Sequence, residues 1–162
     1  MEKKSYDEAC FGAGCFWGVQ SAFDELKGVI STEVGFMGGN VALNTRNPYE
    51  LVCSRSTGHA EVVYIKFDGK ILSYKALLEK FFELHDPTQL NRQGPDVGDQ
   101  YRSAIFYYND KQKKEAQDFM KEYQKKVSKK IVTKVEKVET FYRAEEYHQK
   151  YLAKQGLSSC HI

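Results

Sequence analysis

The sequence lacks long apolar runs, and no stretch approaches the roughly 18 residues that a membrane-spanning helix needs. Residues 1–10 show no apolar core of the kind that a secretory signal peptide carries. One-sided charge is also missing, because 24 Lys and Arg against 22 Asp and Glu give a net charge of +2, too small to indicate a polyanionic partner. We therefore expect a cytoplasmic protein that binds neither membrane nor nucleic acid.

Cysteine is scarce, yet the four cysteines need an explanation. A chain of 162 residues has the length of one domain and buries about 70% of its unfolded surface, so it folds without disulfide bonds. An aromatic content of 14% argues against disorder. Because cytosolic thiols stay reduced, the four cysteines are core residues, metal ligands or redox-active groups.

A zinc site is disfavoured by the spacing of its usual ligands. The sequence has no C-x-x-C pair, four residues separate Cys10 from Cys15, and the histidines are scattered along the chain. We expect neither a metal ion nor a bound cofactor.

Hydrophobic periodicity predicts strands that alternate with helices. The predicted strands are a short one that ends at 12–14, Val29–Phe36, Glu61–Phe67, Tyr101–Tyr108 and Ile131–Glu139. The first predicted helix runs from Cys15 to a stop at Gly28, and the second from a Ser73 cap to Pro87. The third begins at Asn109-Asp110 and buries a stripe formed by Ala116, Phe119, Tyr123 and Val127. The last lies within Tyr142–Leu152. This order predicts an α+β fold, a two-layer αβ sandwich with a mixed sheet and a ferredoxin-like core, whose strand order the periodicity does not specify.

Two long segments show no periodicity, Met37–Gly58 and Asp86–Gln100. Loops of this length inside a compact domain are usually functional. We expect one catalytic domain over 1–162, with long functional loops and a mobile C-terminal tail from about residue 153.

The motif Gly-Ala-Gly-Cys-Phe-Trp-Gly at 12–18 places Cys15 at a strand-to-helix turn. Free N–H groups and the helix dipole favour an anion there and can lower the pKa of a thiol. The position of Cys15 alone is equally consistent with a small buried apolar residue. The adjacent Phe16 and Trp17 favour the interpretation of Cys15 as a nucleophile, because aromatic rings beside a thiol can bind an apolar substrate group such as a methyl.

The other cysteines differ in their surroundings. Cys160 lies in a tail of small residues, from which a mobile thiol can reach another cysteine as a resolving partner. Cys10 lies in an apolar run and is predicted to be a core residue. Cys53 follows Leu51-Val52 and is predicted to be buried support.

Several polar residues are candidates for acid–base work. Glu61 begins an apolar strand, where burial raises the pKa of a carboxyl group, although a solvated strand end is the commoner case. Asp96, Tyr49 and Tyr101 are equally explained as turn, surface and core residues.

Two other functions remain open on the residues alone. A papain-like hydrolase is conceivable with one of the scattered histidines, His59 or His148, but hydrolysis gives a tail cysteine no use. The segment Lys111–Lys137 carries a local charge of +6 and can be a nucleic-acid surface, although its charges interleave with the apolar stripe, as on a solvated face.

The sequence resembles the A-type peptide methionine sulfoxide reductases. The resemblance rests on motifs in order along nearly the whole chain: Gly14–Gly18, Tyr49 with Val52-Cys53, Thr57–Val63, Asn91–Gly94, Asp96, Gly98, Gln100–Ser103, and Ala144-Glu145 before Tyr147–Gln149. It implies a two-layer αβ fold and thiol-dependent reduction of the S epimer of methionine sulfoxide, free or in proteins.

The resemblance also implies roles for the candidate residues. Cys15 is the nucleophile and becomes a sulfenic acid, Glu61 protonates the sulfoxide oxygen, and Cys160 is the resolving residue of a disulfide that thioredoxin reduces. The substrate-binding residues are Phe16, Trp17, Tyr49, Asp96 and Tyr101. A thiol peroxidase that uses the same cysteine pair is the alternative enzyme.

This chain departs from the family pattern at three points. Arg55 stands where a loop glycine is usual, Cys10 is an extra thiol, and the tail has a single cysteine. The single tail cysteine argues against a relay through a third, more distal cysteine.

Overall fold

The computed structural model describes residues 5–54 and 57–155, so the predictions for Arg55 and Cys160 fall outside the described residues. The strands are β1 (Asp7–Ala13), β2 (Val29–Met37), β3 (Ala60–Phe67), β4 (Arg92–Gln93), β5 (Asp96–Val97), β6 (Ser103–Tyr107), β7 (Lys134–Lys137) and β8 (Tyr142–Arg143). The α-helices are α1 (Phe16–Asp24), α2 (Pro48–Cys53), α3 (Tyr74–Glu83), α4 (Asp110–Gln124) and α5 (Tyr151–Lys154). Short 3₁₀ helices occur at Asp99–Tyr101 and Glu146–His148.

Six strands form one mixed sheet in the order β7-β6-β1-β3-β2-β8. Only β6 and β7 pair in parallel, whereas the other neighbours in this sheet are antiparallel. Strands β4 and β5 form a separate small hairpin. The predicted α+β class with a mixed sheet is confirmed.

The two faces of the sheet carry separate apolar clusters because strand side chains alternate. Phe11 of β1 faces the helices, and its ring stacks on Phe23 of α1 and Phe81 of α3 at centroid distances of 5.5 and 5.0 Å. Its neighbour Cys10 points to the opposite face, where it packs with Phe106. Complete burial raises the pKa of the Cys10 thiol, so the prediction of a core cysteine is confirmed.

Truncation of Phe11 tests the weight of the helix-side core. The side chain is fully buried, so Phe11→Ala is expected to lower the free energy of unfolding by about 3–5 kcal/mol, measured by urea denaturation. The matched control is Ile30→Ala on β2, where a side chain 55% exposed is expected to change stability by less than about 0.5 kcal/mol. A loss below about 1 kcal/mol for Phe11→Ala would contradict this assignment.

The final predicted helix, Tyr142–Leu152, is wrong. The segment forms β8, a 3₁₀ helix and α5 instead. The carboxamide of Gln149 accepts from the N–H of Val34 and donates to its carbonyl oxygen, both at 2.9 Å, and so binds the segment to β2. Lys150 has a φ of 57°, which interrupts any continuous helix. Tertiary pairing with β2 therefore overrides the local pattern.

Other predicted boundaries differ for local reasons. Helix α1 ends at Asp24 rather than at Gly28, whose φ of 105° instead forms the turn into β2. The fifth predicted strand shortens to Lys134–Lys137. In the predicted stripe of α4, Ala116 is fully buried, whereas Val127 lies beyond the last helical residue.

The two long segments contain short elements that periodicity does not detect. Helix α2 lies within Met37–Gly58, and the β4–β5 hairpin lies within Asp86–Gln100. A six-residue helix and two-residue strands are too short for a hydrophobic period. Both elements carry candidate site residues.

A buried hydrogen-bond chain anchors the beginning of the second segment. His85 Nδ1 donates to the carbonyl of Phe81 at 2.6 Å, and His85 Nε2 accepts from the Ser103 hydroxyl at 2.7 Å. Ser103 Oγ lies 2.7 Å from Thr133 Oγ1. Burial lowers the pKa of His85 to about 4, so the ring is neutral, with one nitrogen as donor and the other as acceptor. The chain ties α3 to β6 at the base of the segment that carries Asp96.

Across 5–54 and 57–155, no helix combines the length and apolar character needed to cross a membrane.

Candidate active site

Cys15 lies at the turn between β1 and α1, as predicted. Gly14 has a φ of 96°, and a Cβ atom there would come within 2.9 Å of the Gln93 side chain on β4. Glycine therefore satisfies both the backbone conformation and the close approach of the hairpin. Cys15 is the N-cap residue of α1, and its side chain is partly exposed at the positive end of the helix dipole.

Glu61 points from β3 toward the helices and is 2% exposed. Its Oε1 accepts the backbone N–H of Phe16 at 3.3 Å, and its Oε2 accepts from Gln100 Nε2 at 2.9 Å. Burial raises the pKa of Glu61 to about 7, and the two hydrogen bonds oppose that rise. The carboxyl group can therefore donate a proton near neutral pH, and it is hydrogen-bonded to the backbone of Phe16, the residue that follows Cys15.

Both predicted tyrosines lie in the electrostatic neighbourhood of Glu61. Burial and the negative charge of Glu61 raise the pKa of Tyr49 and of Tyr101, so both phenols stay protonated and can donate hydrogen bonds. The charge of Asp96 raises the pKa of Glu61 as well. The structure thus brings these three predicted residues together around the buried carboxyl group, and the Cys15 charge also acts on Tyr101.

Phe16 and Trp17 form two different parts of an aromatic wall. Phe16 is 1% exposed and packs on Phe36 with ring centroids 5.6 Å apart. Trp17 is partly exposed, and its indole N–H donates to His148 Nδ1 at 3.0 Å. The indole also stacks on Tyr151 at 4.0 Å. Trp17 therefore presents a ring whose orientation is held from two sides.

His148 and Tyr151 were missed as site residues by the sequence prediction. From the sequence, His148 is a candidate only for a hydrolase, and Tyr151 falls in the wrongly predicted final helix. The segment that carries both is held by Lys150, whose ammonium lies 2.7 Å from the Asp24 carboxylate. The Tyr-His-Gln motif at 147–149 was the available signal, but only the tertiary structure shows its contact with Trp17.

Cys53 is exposed, which makes the prediction of buried support wrong. In α2 the preceding residue, Val52, faces the core and is 1% exposed, so the side chain of Cys53 points away from the core. The Cys53 sulfur accepts from Gln100 Nε2 at 3.5 Å, and Cys53 lies one turn of α2 from Tyr49, whose pKa it helps to raise. Cys53 therefore belongs to the surroundings of Glu61.

The two histidines considered for a hydrolase are held in other contacts. His59 Nδ1 accepts the N–H of Gly39 at 3.0 Å, and its Nε2 lies 2.6 Å from the carbonyl oxygen of Val41. His148 Nδ1 is used by the Trp17 indole. Within the described part of the chain, no group of three or more His, Cys, Asp or Glu residues is arranged to hold a metal ion.

The comparisons with known proteins all indicate the same family. The family model described as peptide methionine sulfoxide reductase matches residues 7–162. A relative from Methanothermobacter thermautotrophicus, peptide methionine sulfoxide reductase MsrA, is 51% identical over 160 residues, which cover 97% of this chain and 92% of that protein.

Two solved structures share the fold. Methionine sulfoxide reductase A of Corynebacterium diphtheriae has a TM-score of 0.90 and 34% identity, with coverage of 98% of this chain and 79% of that one. Reduced Mxr1 from Saccharomyces cerevisiae has a TM-score of 0.89 and 34% identity, with coverage of 96% and 88%. The family match spans the Cys15 turn, the buried Glu61 and both tyrosines, and this chain therefore belongs to the peptide methionine sulfoxide reductase family.

Proposed function

We propose that this protein reduces the S epimer of methionine sulfoxide, free or in proteins, to methionine, with Cys15 as the nucleophile. The observation that carries the proposal is the hydrogen bond from the Phe16 N–H to Glu61, 3.3 Å long, because it places an acid beside the residue that follows the thiol. A sulfoxide oxygen leaves sulfur only when it is protonated, so the reaction needs both groups.

In the proposed reductase step, the Cys15 thiolate attacks the sulfoxide sulfur while Glu61 protonates the oxygen. The neutral phenols of Tyr49 and Tyr101 donate hydrogen bonds to that oxygen. The net result is the transfer of one oxygen atom from the substrate sulfur to the Cys15 sulfur. Methionine sulfoxide is reduced by two electrons, and Cys15 becomes a sulfenic acid.

Substrate recognition is proposed to combine an apolar wall with polar groups. The rings of Phe16 and Trp17 contact the ε-methyl group, for which the fixed orientation of the Trp17 indole gives support. Asp96 contributes to binding from the β4–β5 hairpin. Such a wall suits a methyl thioether better than the small polar oxygen of a hydroperoxide.

Recycling is proposed to use Cys160 and thioredoxin. The Cys160 thiol attacks the sulfenic sulfur of Cys15, water leaves, and a disulfide forms. Thioredoxin then reduces that disulfide by thiol–disulfide exchange, so no bound cofactor is needed. A solved structure of Mxr1 from Saccharomyces cerevisiae in complex with Trx2 supports such a partner.

We further propose one catalytic domain over 1–162 and a cytoplasmic location, while most of the tail expected from about 153 falls outside the described residues. The near-neutral charge and the lack of long apolar runs support a partner set without nucleic acid or membrane.

Replacement of the proposed resolving cysteine tests this function. With thioredoxin as reductant, wild type is expected to turn over the S epimer repeatedly, whereas Cys160→Ser is expected to stop after about one turnover with sulfenic acid on Cys15. Product is measured by chromatography, and the sulfenic acid is trapped with dimedone and mapped by mass spectrometry. Failure of wild type to reduce the S epimer contradicts the proposed activity, and sustained turnover by Cys160→Ser contradicts the resolving role.

A further inference from the structure

Gln100 is a buried amide that the proposed mechanism has not used. It is 2% exposed and lies in the 3₁₀ helix Asp99–Tyr101, immediately before Tyr101. Its Nε2 donates to Glu61 Oε2 at 2.9 Å and to Cys53 Sγ at 3.5 Å. The two hydrogens of one amide nitrogen are therefore directed at the proposed catalytic acid and at Cys53.

We propose that Gln100 is the positioning residue for the Glu61 acid, and that Cys53 fixes the orientation of the Gln100 amide without taking part in the redox chemistry. The proposal rests on the function proposed above, in which Glu61 is the proton donor.

The geometry of the carboxyl group supports this role. Glu61 receives one donor on each oxygen, the Phe16 N–H from α1 and the Gln100 amide from the 3₁₀ helix. Two donors from different elements fix the plane of the carboxyl group. Without Gln100, a single bond of 3.3 Å from Phe16 remains, and the group can turn about its terminal torsion.

The contact with Cys53 explains which end of the amide faces Glu61. When Glu61 is ionised, a reversed amide would place the Gln100 carbonyl oxygen against Glu61 Oε2, so that two acceptors would face each other. A sulfur that accepts an N–H favours the observed orientation, and Cys53 lies one turn of α2 from Tyr49, a proposed substrate-binding residue. Cys53 thus accepts from the same amide nitrogen that donates to Glu61.

The groups around Glu61 also determine its proton affinity. Tyr49 interacts with it from α2, Asp96 from β5 and Tyr101 from the 3₁₀ helix. Cys53 acts on both tyrosines, and Cys15 acts on Tyr101. Burial and the Asp96 charge raise the pKa of Glu61, while the donors from Gln100 and Phe16 lower it. Loss of the Gln100 donor must therefore raise that pKa further.

Gln100→Leu tests the proposal directly. The pKa of Glu61, followed by NMR of protein labelled with ¹³C at the glutamate carboxyl, is expected to rise by about 1–2 units, because a hydrogen bond to a charged group is lost. The alkaline limb of the single-turnover rate of sulfoxide reduction is expected to move upward by the same amount. Gln112→Leu is the matched control, since this buried amide bonds Tyr108 and Glu8 and its loss should lower the melting temperature without moving the pKa of Glu61.

Substitutions of Cys53 keep the proposal testable if Gln100→Leu does not fold. Cys53→Ser retains an acceptor and is expected to leave the Glu61 pKa within about 0.3 units, whereas Cys53→Ala should raise it by about 0.5–1 unit. A folded Gln100→Leu with an unshifted Glu61 pKa overturns the positioning role of Gln100. Equal Glu61 pKa values in the two Cys53 variants overturn the orienting role of Cys53. Because the NMR titration needs no turnover, a failed sulfoxide assay in wild type would reject only the proposed function.

Discussion

Cys15→Ser is expected to reduce sulfoxide turnover by on the order of 10⁴-fold or more. A serine hydroxyl is not ionised near neutral pH and cannot accept the oxygen atom as a sulfenic acid. The fold should survive, because Cys15 is the N-cap residue of α1 and serine is a preferred N-cap. The measurement is the rate of turnover of the S epimer with dithiothreitol as reductant, together with the melting temperature of the variant.

The matched control for Cys15 is Cys10→Ala. Cys10 is fully buried on the opposite face of the sheet, so its loss should lower stability slightly and leave turnover within about twofold of wild type. Turnover above about 1% of wild type in a folded Cys15→Ser protein would reject Cys15 as the nucleophile.

The second large effect is expected for Glu61→Gln, a loss of about 10²–10⁴-fold in the reductase step. The amide has nearly the same shape as the acid but no proton of comparable acidity to donate. Because the protonated form of Glu61 is the active one and its pKa is raised to about 7, the wild-type rate should fall as pH rises through 7. Glu61→Gln should lose that alkaline limb.

The rate can be followed by stopped-flow tryptophan fluorescence, because Trp17 is the single tryptophan of the chain and lies in the candidate site. The control is Glu79→Gln on the exposed side of α3, for which rate and pH profile should match wild type. A Glu61→Gln variant that keeps the alkaline limb would show that another group supplies the proton.

Local features of the sequence account for the parts of the fold that were predicted. Strand β1, the glycine turn and α1 follow from short-range pattern, because the change of hydrophobic period occurs within a few residues of Gly14. The Ser73 cap is likewise a local interaction, and its hydroxyl accepts the N–H of Ala76 at 3.1 Å. Glu61 was predictable as a buried acid because alternation along β3 turns it to the same face as Val63.

The remaining features depend on contacts between residues that are distant in sequence. The hydrogen bond between Gln100 and Glu61 joins residues 39 positions apart, and the one between Trp17 and His148 joins residues 131 apart. Local periodicity therefore cannot predict either bond. The exposure of Cys53 depends on which face of a six-residue helix meets the core. The segment that begins with β8 follows β2 because of strand pairing and the Gln149 side chain, not because of its own helix or strand preference.

The burial of Glu61 also makes the folding stability of the protein depend on pH. In the unfolded chain this group has a pKa of about 4.3, whereas in the folded protein the pKa is raised to about 7. Between these values the folded state holds a proton that the unfolded state has released. Its contribution to stability is therefore fully present below about pH 4.3 and declines as pH rises. Above pH 7 the loss reaches about 4 kcal/mol, so the group that supplies the catalytic proton also weakens the fold at neutral pH.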